Sequence, residues 1–203
     1  MTVAAAPTVQ VVLATHNPHK VEELRRILEP ALPGVEVLAY DGPEPIEDGA
    51  SFTANALIKA RAAAAHTGLP AIADDSGICV DVLGGSPGIF SARWAGPAKD
   101  AGANLDLLLW QLGDMSAEHR TAHFTCVVAL ALPDGTERVG IGEWPGQILA
   151  EAAGANGFGY DPIFLPDGYA ISAAELTASV KNQISHRALA FEAIVPELRA
   201  LLG

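Results

Sequence analysis

Apolar and polar positions recur along this chain with two different periods, and the change from one to the other divides it into elements. Residues 11–14 form a continuous apolar run, the mark of a buried strand, and Val21, Leu24, Ile27 and Leu28 then follow at helical spacing. Asn17 is a good N-cap and Pro18 suits a first helical position, so this helix is predicted to open within the intervening loop and stop before Pro30. Residues 35–38 read as a second strand, and 41–50, rich in Pro, Gly and acids, as a loop. A helix is predicted over 52–67 from its Ala, Leu, Ile, Lys and Arg content, with Ser51 as cap and Gly68 as stop. Strands follow at 71–73 and 78–82, separated by a turn through Asp74-Asp75-Ser76-Gly77.

Residues 84–98 are Gly- and Pro-rich and read as a long loop, followed by a short helix over 104–112. Two strands, 120–132 and 136–144, are joined by Pro133-Asp134-Gly135, a hairpin signal. A Gly-rich loop (154–162) leads into a strand at 163–165, then a helical segment at 173–178 and a longer helix over 185–202, with a kink or break at Pro196. Strands interleaved with helices, plus one antiparallel hairpin, predict a single α/β domain over residues 1–203 with a mixed β-sheet flanked by helices.

Half of the 203 residues are hydrophobic, enough for a real core. Twenty-four acids against twelve Lys and Arg give a formal charge of −12, which argues against nucleic acid as a partner. An acidic chain that binds an anion must gather its few cations at one place or use a metal. Cys79 and Cys126 lie in apolar runs with no Cys-x-x-Cys spacing and read as core residues in a reducing compartment. The first residues lack the pattern of a signal peptide, and no apolar run reaches the roughly 20 residues of a membrane span, so a cytoplasmic protein with no membrane partner is expected.

Five segments could carry chemistry. Asp74-Asp75 closes an apolar run. Fixed carboxylates suit a hard cation and can orient a water, although Asp-Asp-Ser-Gly is equally a polar turn. Thr15-His16-Asn17-Pro18-His19-Lys20 opens a helix, whose free N–H groups favour a phosphate chain; the alternative is a capped helix with a solvated lysine. Gly157-Phe158-Gly159-Tyr160-Asp161-Pro162 could stack aromatics on a flat base, or be a tight turn with two core aromatics. Lys181, with Ser185-His186-Arg187, gathers cations at a helix start, the wrong sign for that end of the dipole, and fits an anion or carbonyl acceptor. Glu47 offers a second carboxylate for a metal held by Asp75. The chain has no Walker string, no Gly-x-Ser-x-Gly elbow and no His-Glu-x-x-His.

In order, Thr15-x-Asn17-x-x-Lys20, Glu47-x-Gly49-x-Ser51-Phe52, Ala73-Asp74-Asp75-Ser76-Gly77, Pro87-Gly88 to Ser91-Ala92-Arg93-Trp94, Gly157 to Phe164, and Lys181 with Ser185-His186-Arg187 span nearly the whole chain. In this the chain resembles the dITP/XTP pyrophosphatase, or inosine triphosphatase, family. Ala54 and Val180 depart from the pattern, each standing where an acid commonly precedes the next residue. The resemblance implies an elongated mixed sheet whose two lobes flank a central substrate cleft. It implies hydrolysis of purine nucleoside triphosphates (ITP, dITP, XTP) to the monophosphate and pyrophosphate, with Mg²⁺, by a homodimer. Asp75 would be catalytic and would hold the metal with Glu47. Thr15, His16, Asn17, Pro18, His19, Lys20 and Ser76 would contact the substrate's phosphate end. Phe158, Gly159, Tyr160 and Asp161 would wall the base, and Lys181, His186 and Arg187 would donate to purine carbonyls.

Overall fold

The structure, a computed structural model, describes residues 9–16 and 18–202. Its strands are β1 (Val9–Leu13), β2 (Val35–Ala39), β3 (Ala71–Val80), β4 (Ser86–Pro87), β5 (Thr121–Ala131), β6 (Glu137–Ile148) and β7 (Phe164–Pro166). Its α-helices are α1 (Pro18–Ala31), α2 (Phe52–Thr67), α3 (Ala101–Gln111), α4 (Ala178–Ile184) and α5 (His186–Leu202). The sheet order is β2-β1-β3-β5-β6-β7, with β4 beside β3. β1 runs parallel to both β2 and β3, whereas β4 is antiparallel to β3 and β7 to β6. The mixed α/β sheet expected from the interleaved pattern is therefore present.

The chain divides into two compact units. The first comprises residues up to 75, 127–141 and 190 onward; the second comprises 76–126 and 142–189. The first is organised by small side chains. Ala56, Ala60, Ala63 and Ala64 of α2 are buried with Ala71 and Ala73 of β3, Val12 of β1, and Val127, Ala129 and Ala131 of β5. Alanine at these positions lets the helix lie close on the sheet. Ser51 caps α2 by accepting the Ala54 N–H at 3.1 Å, and Gly68 ends it in the left-handed conformation (φ 68°).

The second unit is aromatic. Phe124, Trp144 and Phe164 sit with Ile78, Val80, Leu108, Leu112 and Ile163. The Phe164 ring meets Phe124 edge-on at 4.8 Å, a favoured aromatic arrangement. Arg120 is buried here without a carboxylate. Its guanidinium donates instead to the carbonyls of Met115 (3.0 Å), Leu149 (3.0 Å) and Leu112 (2.7 Å), tying α3's end to the start of β5. Cys79 and Cys126 are buried and form no disulfide.

Several boundaries differ from the sequence reading. The largest difference is at Asp74-Asp75-Ser76-Gly77, which is not a turn: β3 runs through it without interruption. Turn composition is overridden because both halves of the strand find tertiary partners, the carboxylates as described below and the Ile78 N–H on Ser91 Oγ at 2.9 Å. α1 continues past Pro30 to Ala31, because a proline this near the end removes one ladder bond while the Leu32 N–H still reaches the Leu28 carbonyl at 2.8 Å. α5 is likewise continuous through Pro196. Of the predicted segment 173–178, residues 173–177 are not helical, since the Ser172 N–H bonds the Glu175 carboxylate (2.8 Å) and the Ser172 hydroxyl donates to the Ala153 carbonyl (2.7 Å). The helix begins at Ala178 instead, capped by Thr177. Within 84–98 the chain forms β4 and a 3₁₀ segment, Gly88–Arg93. Among the described residues, no helix is long and apolar enough to cross a membrane.

Replacing Arg120 with Met takes the guanidinium donors from the Met115 and Leu149 carbonyls, while the Leu112 carbonyl keeps the Met115 N–H at 2.9 Å. It should destabilise the fold by about 2–4 kcal/mol, on the basis of about 1–3 kcal/mol for each carbonyl left without its donor. Urea denaturation of the variant measures this, and a loss below about 1 kcal/mol would show that water replaces the guanidinium.

Candidate functional site

In the first unit the parallel order β2-β1-β3 reverses direction at β1: the chain passes from β1 to β2 on one side and then to β3 on the other. In open α/β sheets, ligands bind beyond the carboxyl ends of the strands at such a point. Here, at the ends of β1 and the parallel part of β3, lies an open pocket of about 350 Å³ lined by Ala14, Thr15, His16, Glu44, Glu47, Lys59 and Asp74. That size lies near the lower end for small-ligand sites.

Strand geometry separates the two aspartates. Successive side chains point to opposite faces, so Asp75 shares a face with Ala71 and Ala73, the face that packs on α2. There it meets Asn55 and Lys59, which lie one turn apart on α2 and so project together. Asp74 is on the other face and is 4% exposed.

Lys59 is the focus of charge. Its Nζ lies 3.3 Å from Glu47 Oε1 and 3.4 Å from Asp75 Oδ1. Burial alone would lower the Lys59 ammonium's pKa. Attraction to Asp75, Asp74 and Glu47, together with the hydrogen bond to Glu47, outweighs burial and raises it. Burial raises the Asp75 carboxyl and the nearby Glu47 charge adds to this; Lys59 and a hydrogen bond from Asn55 oppose the rise without cancelling it. The first unit thus concentrates Glu47, Asp74 and Asp75 around a single ammonium, with Glu44 on the pocket wall. Such a site repels a polyanion unless further positive charge enters with it.

Asp75 Oδ2 is buried with no hydrogen-bond partner. A carboxylate oxygen with no partner, on a side chain that shares Lys59 with Glu47, fits a hard divalent cation, which takes oxygen ligands and keeps several waters. Among the described residues no three His, Cys, Asp or Glu side chains converge tightly enough to cage an ion. One or two carboxylates with water and substrate oxygens is the arrangement that suits Mg²⁺.

Thr15 lines this pocket, as expected. His16 lines it too, with its ring nitrogens 3.0 Å from Glu44 Oε1 and 2.8 Å from the Gly42 carbonyl oxygen. α1 opens at Pro18, as the sequence implied. Asn17 lies outside the described residues, as do the side chains of Pro18, His19 and Lys20. Ser76 follows Asp75 on β3, half-buried. Lys59 was not singled out in the sequence. The signal was its position four residues after Asn55, a lone cation on the inner side of an Ala-rich helix.

In the second unit Asp161 organises the Gly-rich loop. Its side chain, 3% exposed, accepts the Phe158 N–H at 2.6 Å and is paired with the Lys181 ammonium. Gly157 has φ 81°, and a Cβ there would sit 2.2 Å from Asp161 Oδ2, so the loop closes over the carboxylate only with glycine. Phe158 is thereby held outward, 81% exposed. Tyr160 does not join it as an open wall. It is buried, its hydroxyl donates to the Ser91 carbonyl at 2.8 Å, and burial pushes its phenol upward. Gly159 supplies the left-handed turn between the two aromatics (φ 63°). His186 stacks on Phe124 (4.8 Å, 13°), next to the half-buried Arg187 at the start of α5. Lys181, expected in one cluster with them, lies on α4 and is anchored by Asp161.

The fold and the pocket define an open-sheet α/β protein with a charged ligand site at the sheet's switch point. A Ham1 family model matches residues 11–197, and the chain belongs to that family. A dITP/XTP pyrophosphatase of Leifsonia xyli subsp. xyli is 62% identical over 193 residues, 95% of this chain and 97% of that protein. The crystal structure of a nucleoside-triphosphatase / dITP/XTP pyrophosphatase from Mycobacterium abscessus is similar with a TM-score of 0.79 at 48% identity, covering 93% of this chain and 100% of that one. The Staphylococcus aureus Ham1 protein is similar with a TM-score of 0.87 at 36% identity, covering 95% and 99%.

Because the folded-state pKa of Asp75 is raised, its ionisation costs stability. The favourable contribution is present in acid and is lost as pH rises through that pKa. Asp75→Asn mimics the protonated state at every pH. In the absence of divalent cations its melting temperature should match wild type near pH 4 and exceed it increasingly towards pH 7, by about 2–4 °C per kcal/mol for a chain of this size. Melting curves across that range check the sign; a variant that becomes relatively less stable as pH rises would contradict it.

Proposed function

We propose that this protein hydrolyses deaminated purine nucleoside triphosphates (ITP, dITP and XTP) to the nucleoside monophosphate and pyrophosphate, with Mg²⁺. The observation that carries the reading is the acidic cluster at the switch point: Asp75, half-buried with one carboxylate oxygen unpartnered, is joined through Lys59 to Glu47, which lines the pocket. Relatives of high identity named dITP/XTP pyrophosphatase support it, as does the ordered set of motifs. A homodimer and a cytoplasmic location belong to the same reading on the strength of the resemblance.

Glu47 and Asp75, with Asp74 behind them, would hold the ion. When bound, Mg²⁺ neutralises phosphate oxygens and raises the acidity of a nearby water. Thr15 lines the pocket, and the N–H groups at the opening of α1 receive the triphosphate. Lys59 adds a second positive charge that is already in place and needs no reorganisation. Asp75 accepts a proton from the attacking water as its oxygen bonds to the α-phosphorus. The bond from that phosphorus to the bridging oxygen breaks, and pyrophosphate leaves.

The second unit reads the base. Phe158 offers an exposed ring for stacking, and Lys181, His186 and Arg187 offer donors. Hypoxanthine and xanthine carry a carbonyl at C6 that accepts from such donors, whereas adenine presents an amine and would leave donors facing donors.

A panel of ITP, dITP, XTP, GTP and ATP, assayed for pyrophosphate, tests the reading. Rates on ITP, dITP and XTP should exceed that on ATP by at least about 100-fold. Asp75→Asn should lower kcat by about 10²–10⁴-fold while nucleotide affinity stays within a few-fold. Equal turnover of all five would remove the claim of selectivity, and binding without turnover in the wild type would leave a nucleotide-binding module.

A further inference from the structure

Asn55 is 1% exposed and is a polar residue enclosed within an otherwise Ala-rich face of α2. Burying an amide is unfavourable unless both of its ends are engaged. The helix does not need it: Ser51 already takes the Ala54 N–H through its hydroxyl and the Asn55 N–H through its carbonyl, at 3.1 Å each.

Both ends of the side chain are directed at the candidate metal-holding segments. Oδ1 accepts the Gly49 N–H at 2.9 Å, two residues after Glu47. That contact decides which way the amide faces, because an N–H can meet only the oxygen. Nδ2 is then the end left to act on the Asp75 carboxyl, which faces α2 and whose ionised form Asn55 favours. The fit at Gly49 is close: a Cβ there would lie 2.5 Å from Asn55 Oδ1 and 2.7 Å from Ala54 Cβ, so the loop rests on the amide only because residue 49 has no side chain.

We infer that Asn55 is the positioning residue of the cation site, one amide that sets the Glu47 loop and the Asp75 carboxylate relative to each other, leaving Asp75 Oδ2 available to the ion. It acts through its neighbours and touches neither substrate nor metal. This rests on the reading of Glu47 and Asp75 as cation ligands. Partners that orient metal ligands typically account for 10–100-fold in metal affinity or activity.

The test is calorimetric titration of substrate-free protein with Mg²⁺ alone, on wild type, Asn55→Ala and Asn55→Leu. The leucine variant keeps the volume while deleting every polar atom, in case the alanine variant fails to fold. Metal-free melting curves are recorded in parallel. The expected result is a 10–100-fold weaker Mg²⁺ affinity in a variant that still melts cooperatively. ITP turnover should fall at low Mg²⁺ and recover substantially at saturating Mg²⁺, with nucleotide KM little changed. A folded variant whose Mg²⁺ affinity stays within twofold of wild type overturns the inference, whatever its melting temperature, and so does a wild type that gives no Mg²⁺ binding heat. Wild type that binds Mg²⁺ but releases no pyrophosphate from ITP defeats the proposed function instead, and the titrations still decide the role of Asn55.

Discussion

The pairing of one buried ammonium with several carboxylates where α2 meets β3 is the interaction on which the first unit's site depends. Lys59 lies between Glu47 and Asp75, with Asp74 contributing to its field. Without Lys59 the Glu47 and Asp75 carboxylates would repel each other, with Asp74 adding to the field; with it the cluster is held together but remains short of positive charge. On the proposed reading that residual deficit is met by a cation that enters with the triphosphate. The Ala-rich face of α2 serves the same end, because small side chains bring Asn55 and Lys59 within reach of a strand carboxylate.

The second unit solves a different problem with similar means. Asp161 is buried, accepts a backbone N–H from Phe158 and pairs with Lys181, so one carboxylate shapes a loop and fixes a cation. The consequence is an exposed Phe158 on a rigid support, backed by a Tyr160 that belongs to the core. In both units an acid is paired with a lysine from a helix. In the first unit one oxygen of the half-buried Asp75 remains unpartnered; in the second the buried Asp161 holds both a backbone N–H and the ammonium.

Much of this could be read from the sequence, and the exceptions have physical causes. α2 was legible to the residue because its cap, composition and terminal glycine agree. The mixed sheet followed from interleaved periods. The Asp74-Asp75 segment was misread locally, since turn composition cannot reveal that Ser91, thirteen residues from Ile78, completes the strand's hydrogen bonding. Tyr160 was misplaced because an aromatic in a Gly-rich loop carries no sign of which way it points; the Ser91 carbonyl decides that. Lys59 escaped notice for a related reason. A helix with small residues all round gives little amphipathic contrast, so its inner polar positions stand out only once the strand they face is known.

The proposed reaction has water attack the phosphorus nearest the nucleoside, with Asp75 taking its proton. Hydrolysis of ITP in water enriched in oxygen-18, followed by mass spectrometry of the products, reads this directly. The account predicts one labelled oxygen in the inosine monophosphate and none in the pyrophosphate. Label appearing in pyrophosphate or orthophosphate would place the attack at another phosphorus and contradict the assignment of Asp75.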